Sequence, residues 1–209
     1  MEISKINTYN HITEAESVAP KMAEKIDSNS TLGEFCSKLK QSQGSDKAIQ
    51  MLKTAVVDGV LEQKNGVLFK HKDYTIQCML KYYADSYLRN AKFIDSLNLS
   101  TAPEIIDVFE KDEVVFILSK LNGTTEGDLI PYQQAKSKVS KEDKMAAFKD
   151  LQKLVKSGHI DNNIAEGRLW FVTPDDNKIM FPSWEAVRPL DKNEGDKILN
   201  ECYNRLFKY

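Results

Sequence analysis

The chain has 209 residues, 41% hydrophobic and 29% charged, with a formal net charge of -2. That balance describes a globular, soluble chain with enough apolar mass for a core. It gives no global electrostatic case for nucleic acid. The longest apolar runs are about five residues, far short of a membrane span.

No charged-then-apolar segment opens the chain, which argues against Sec export. Cys36, Cys78 and Cys202 are odd in number and widely spaced, so neither a disulfide framework nor a zinc site is implied, and each reads as a small buried hydrophobe. His11, His71 and His159 are too scattered for a metal cluster. The basic cluster Lys136, Lys138 and Lys141 reads as a solvated loop.

In chain order, residues 1–31 are polar and predict a mobile leader, with a composition compatible with the secretion signal of a bacterial effector. Leu32, Phe35, Cys36 and Leu39 form a helical stripe. Ser45 or Asp46 is placed to cap a second helix that buries Ile49, Leu52, Val56 and Val57. Asn65-Gly66, between Val60-Leu61 and Val67-Leu68-Phe69, predicts a hairpin over 59–70 with a type I′ turn. From Asp73 to Leu97 the absence of Gly and Pro predicts one amphipathic helix, with Ile76, Leu80, Tyr83, Tyr87, Ala91 and Ile94 on one face.

Apolar runs Ile105–Phe109 and Val114–Leu118 flank the polar turn Glu110–Glu113 and predict a second hairpin, with the second run buried throughout. Ser140 with Asp143 opens a helix over 141–157, carrying Phe148, Leu151, Leu154 and Val155 and ended by Gly158. Two short strand patterns, Leu169–Val172 and Lys178–Phe181, are joined by the turn 173–177. A last helix near 192–207 carries Ile198, Leu199, Cys202 and Leu206.

Strands, a helix, two strands and then helices resemble the small lobe and helical continuation of minimal bacterial protein-kinase-like proteins. Val67-Leu68-Phe69-Lys70 resembles the strand ending in the phosphate-pairing lysine. A rival register takes Tyr74-Thr75-Ile76 as that strand, putting Gln77 at the lysine position and Lys81 just beyond. The turn before Lys70 and the unbroken helix after it favour Lys70. In that register Asn90 stands where the helix offers a glutamate to the lysine. Ser119-Lys120-Leu121-Asn122-Gly123 resembles the hinge against which an adenine lies.

His159-Ile160-Asp161 resembles the catalytic loop, which implies Asp161 as the aligning base and Glu166 as a metal ligand. Ile179 to Leu190 resembles the metal-site segment, with Ser183 where an aspartate is usual, Glu185 as the substitute carboxylate on a strand, and Trp184 as core. The glycine-rich loop is missing.

The resemblance implies an α+β fold, a degenerate kinase-like pair of lobes: a leader over 1–31, a small lobe over 32–122 with a small antiparallel sheet, and a helical lobe over 123–209. It implies ATP and Mg2+ as ligands and a pseudokinase interaction module or atypical phosphotransferase as the function. The implied partner is a protein, with neither membrane nor nucleic acid. The implied setting is the bacterial cytoplasm, or a host cell reached by a route other than Sec.

The alternative is a tandem winged-helix interaction protein, with helices 32–40 and 45–57 plus the 59–70 hairpin as one unit, and helix 141–157 plus the 169–181 hairpin as another. Helix 45–57 carries only Lys47 and Lys53 against Asp46, which favours protein over DNA as the partner of such units.

Overall fold

The first two helices form where the stripe and turn signals place them: α1 over Thr31–Gln41 and α2 over Ser45–Val57. A computed structural model describes residues 31–121, 123–124 and 128–208. The expected leader therefore lies outside the described residues except for Thr31, which starts α1, and Asn122 lies outside them too. Leu32, Cys36, Leu39, Ala48, Leu52 and Ala55 are the buried residues of α1 and α2. Val57, expected in the core, is 85% exposed.

Neither Ser45 nor Asp46 caps α2. The N-cap is Gly44, at φ 76, and the Ser45 amide donates to Asp112 Oδ2 at 2.6 Å, a cap supplied from 67 residues away.

Five strands follow: β1 (Glu62–Gln63), β2 (Leu68–His71), β3 (Tyr74–Leu80), β4 (Glu104–Lys111) and β5 (Val114–Lys120), with α3 (Lys81–Ser96) between β3 and β4. They form one antiparallel sheet in the order β1-β2-β3-β5-β4. Thus β2 and β5 share a sheet, as the burial patterns predict, with β3 between them.

Two local expectations fail. The β1–β2 connection is a longer loop in which Asn65 Oδ1 accepts from the Val67 and Leu68 amides, both at 2.9 Å. Neither Asn65 nor Gly66 has the positive φ that a type I′ turn requires.

The helix expected from Asp73 begins only at Lys81. Tyr74–Leu80 instead pairs with β2 on one side and β5 on the other, after a two-residue turn with Lys72 at φ 52. Ile76 and Cys78, two apart, are its buried residues, so sheet pairing on both edges overrides the helical spacing of Ile76 and Leu80. Leu80 and Tyr83, expected on the buried stripe, are exposed, whereas Tyr87 and Ile94 are buried.

The sheet is covered on both faces. Phe69, Ile76, Cys78, Ile106, Phe116 and Leu118 pack with α1 and α2 in one cluster. Val115 and Ile117 point the other way, onto Ala84 and Tyr87 of α3. The hairpin over 62–71 is therefore the edge of a sandwiched sheet and not a free-standing wing, so the winged-helix order does not form there.

The rest comprises β6 (Ile130–Pro131), α4 (Tyr132–Ala135), α5 (Lys141–Lys156), β7 (His159–Asp161), α6 (Asn162–Ala165), β8 (Phe171–Val172), β9 (Ile179–Met180), β10 (Val187–Pro189) and α7 (Glu194–Phe207). The Ser140 hydroxyl accepts from the Asp143 amide at 3.0 Å at the start of α5. Gly158 follows its end at φ 78, as the sequence predicts. Leu151, Leu154, Ile160, Phe181, Trp184, Cys202 and Leu206 lie in a third apolar cluster, joined by Ile94 of α3 and by Leu99. The fold is thus mixed α+β, with a small antiparallel sheet followed by a part in which helices alternate with two further small sheets. Among the described residues no helix is long and apolar enough to cross a membrane.

Candidate functional site

Strand alternation places Lys70 on the opposite face of β2 from Phe69. Phe69 joins the α1–α2 cluster, so Lys70 lies on the α3 side. The register aligns Lys70 with Thr75, and Thr75 with Ser119, making a polar row across β2, β3 and β5. The Lys70 side chain is 9% exposed and its ammonium lies 3.8 Å from Asp128 Oδ1. The same oxygen lies 3.0 Å from the ammonium of Lys64, which also pairs with Glu62 at 2.5 Å. Glu62 and then Asp128 hold the Lys64 ammonium above its usual range. Because β3 intervenes, Lys70 lies one strand before the strand that leads into α3, and no unbroken helix follows it. The ground for preferring it over the Gln77 register is removed.

Asn90 reaches a segment far along the chain. Its Nδ2 donates to the Trp184 carbonyl at 2.9 Å and the Glu185 carbonyl at 3.3 Å, tying α3 to the segment after β9. The Nδ2 donor is thereby spent on backbone acceptors.

Asp161 ends β7, which pairs with β10 in a two-stranded ribbon, so the expected catalytic loop is part strand. The side chain is 0% exposed. Its Oδ1 accepts from the amides of Asn163 and Ile164 at 2.9 and 3.2 Å, capping α6, and its Oδ2 accepts from the Ala186 amide at 2.9 Å. Burial pushes its carboxyl up from the ordinary aspartate value, the three amides pull it back, and the nearby Glu185 charge adds to the rise.

Glu166 follows α6 and is half exposed, paired with Arg168 at 2.6 Å, while its carbonyl accepts from Arg205 at 2.5 Å. It lines a groove of about 200 Å3 whose other charges include Arg188 and Glu194, themselves paired at 2.5 Å. Glu185 sits exposed in a turn, not on a strand, so the same-face relation to Ser183 expected from strand geometry does not exist. The Ser183 hydroxyl oxygen is buried with no hydrogen-bond partner among the described residues, and Trp184 is core, 3% exposed. Among the described residues no group of three or more His, Cys, Asp or Glu gathers that can hold a metal ion.

Beyond β5, the Leu121 amide donates to the Asp73 carbonyl at 2.7 Å, and the Thr124 hydroxyl donates to the Leu121 carbonyl at 2.6 Å. Gly123, at φ 81, lies against Thr173 and Asp176, where a Cβ would collide. This connector is held to the sheet on one side and to the β8–β9 turn on the other. Sequence reasoning missed Asp128 and Lys64: their contact spans 64 residues and no local spacing announces it.

No family model matches the chain. No curated protein matches it either. Among solved structures it is similar to a twitchin kinase fragment from C. elegans, described as an autoregulated protein kinase with immunoglobulin domains. The alignment has 10% identity and a TM-score of 0.43, and covers 63% of this chain and 33% of that one. The chain therefore spans about a third of the length of that structure.

Proposed function

We propose that the chain is a degenerate kinase-like protein that serves as an interaction module and does not transfer phosphate. The kinase-like part is supported by the order of the sheet, with α3 inserted between β3 and β4 and a buried lysine on the α3 side. One observation carries the loss of catalysis: both oxygens of Asp161 are engaged by backbone amides inside a fully buried site. A base that aligns an acceptor hydroxyl must lie within hydrogen-bond reach of it. Asp161 is instead a helix cap. The atypical phosphotransferase reading has less support, because Glu166 is paired with Arg168 and Glu185 lies in an exposed turn and not on a strand beside Ser183.

In this reading Lys70, one strand ahead of the strand that leads into α3, takes the place of the lysine that strand lacks and faces the phosphates of a nucleotide that is bound and not turned over. Docking of a partner protein falls to the start of α3, where Leu80, Tyr82 and Tyr83 are 58%, 84% and 62% exposed. The bacterial effector role belongs to the same proposal and rests on the composition of residues 1–31 alone. Thermal unfolding with ATP, with and without magnesium or manganese, tests the nucleotide part. ATP is expected to raise Tm equally with and without metal. A shift only with metal favours the atypical phosphotransferase, and no shift under any condition removes the nucleotide.

A further inference from the structure

We infer that the start of α3 docks an arginine of a partner protein, with the guanidinium held by two exposed tyrosine rings and the carboxylates beside them. Tyr82 and Tyr83 touch edge to face, with ring centroids 5.4 Å apart and planes at 80°. Both rings and the neighbouring Leu80 are exposed, a clustering of apolar surface that marks interaction sites. Two rings so close to perpendicular offer two π faces to one ligand, and such faces attract a cation.

The charges around the rings are mainly negative. Asp85 lies at i+3 from Tyr82, on the same side of the helix. Glu110 ends near the β4–β5 turn and Glu113 lies in it, where the Glu113 carbonyl accepts from the Lys81 amide at 2.9 Å. The Lys81 ammonium pairs with Glu110 at 2.6 Å, and Glu110, then Asp85 and Glu113, hold it above its usual range. Lys81 and Glu110 therefore satisfy each other. The carboxylates of Asp85 and Glu113 make no hydrogen bond or ion pair among the described residues, and Arg89, one turn beyond Asp85, does not pair with it. A purely apolar partner lying over Leu80 and the tyrosines would desolvate these two charges without compensation. A lysine brings charge alone, whereas arginine both stacks flat on a ring and offers a planar fork to a carboxylate.

This deepens the interaction-module reading above and rests on it in placing the arginine on a partner protein. The test follows amide shifts of the full chain by NMR as the capped peptide acetyl-Leu-Arg-Leu-Arg-amide is added, with its lysine analogue in parallel. Shifts are expected at residues 80–85 and 110–113, and the lysine peptide is expected to bind more weakly. Tyr82→Ser is expected to raise Kd about two- to fivefold, and Asp85→Asn up to about fivefold. Val57→Ser, which removes a comparably exposed apolar side chain at the end of α2, is expected to leave Kd unchanged. No shifts at those residues, an unchanged Kd in Tyr82→Ser, or an equal loss in Val57→Ser overturns the inference. Self-association of wild type in sedimentation that Tyr82→Ser abolishes also overturns it, because the occupant is then a second copy. Peptide binding by a chain that also incorporates phosphate from ATP keeps the docking corner and removes the non-catalytic reading. Background incorporation with no peptide shift keeps that reading and removes the corner.

Discussion

Asn90 Nδ2 donates to the Trp184 carbonyl at 2.9 Å, fastening the middle of α3 to a segment 94 residues later. The same nitrogen reaches the Glu185 carbonyl at 3.3 Å. Asn90→Ala removes both bonds and is expected to cost about 1–2 kcal/mol, read from the urea midpoint. Asn90→Asp is expected to be worse, because a carboxylate offers two carbonyls no donor. Were Asn90 a partner of Lys70, Asp at this position would add an ion pair and stabilise. The order of the two variants decides which role the residue has.

Asp161 makes a sharper case. Asp161→Ala leaves the Asn163, Ile164 and Ala186 amides without their acceptor inside a buried site. The expected loss is about 2–4 kcal/mol, combining a lost helix cap with unsatisfied donors. Chemical denaturation checks this. A loss well under 1 kcal/mol would mean that the carboxylate is not structural.

The Asp112 carboxylate links the β4–β5 turn to the start of α2. The Ser45 amide beside it holds its carboxyl below the usual aspartate value. Asp112→Ala is expected to lower Tm and to speed amide exchange in the first turn of α2, leaving exchange in β5 unchanged. Equal exchange in α2 of variant and wild type would show that the contact does not hold the helix.

A pH dependence follows from Glu194. The Arg188 guanidinium, then the Asp191 amide, lowers its carboxyl from 4.5 to about 2. Between those values the unfolded chain binds more protons than the native one, so stability is present above 4.5 and declines as pH falls toward 2. Glu194→Gln is expected to flatten the pH dependence of the urea midpoint in this window. An unchanged slope would show that the pair contributes nothing to acid sensitivity.

The parts of the fold legible in the sequence are those set by nearby residues. The Ser140 cap, the Gly158 stop and the run Val114–Leu118, buried from Val115 onward, follow from spacing and chemistry within a few positions. What was not legible depends on pairing at a distance. Tyr74–Leu80 carries helix-compatible spacing, and only its two sheet neighbours make it a strand. Ser45 lies at a helix start as expected, yet its amide is capped by Asp112 from another hairpin. The candidate site shows the same division. Asp161 reads as a catalytic-loop base from its neighbours, and the amide of Ala186, brought in by the β7–β10 ribbon, is what encloses it as a helix cap. Asp128 carries no local pattern, because its partners Lys64 and Lys70 belong to a different hairpin.

The central claim, that Asp161 is enclosed as a cap and catalysis is lost with it, is tested most directly by phosphate incorporation. Purified full-length chain is incubated with labelled ATP and magnesium or manganese, alone and with generic acceptor proteins. Wild type, Asp161→Ala and Glu185→Ala are compared at equal folded fraction. Incorporation is expected to stay at background in all three. Robust incorporation by wild type that vanishes in both variants would contradict the account and establish an active phosphotransferase.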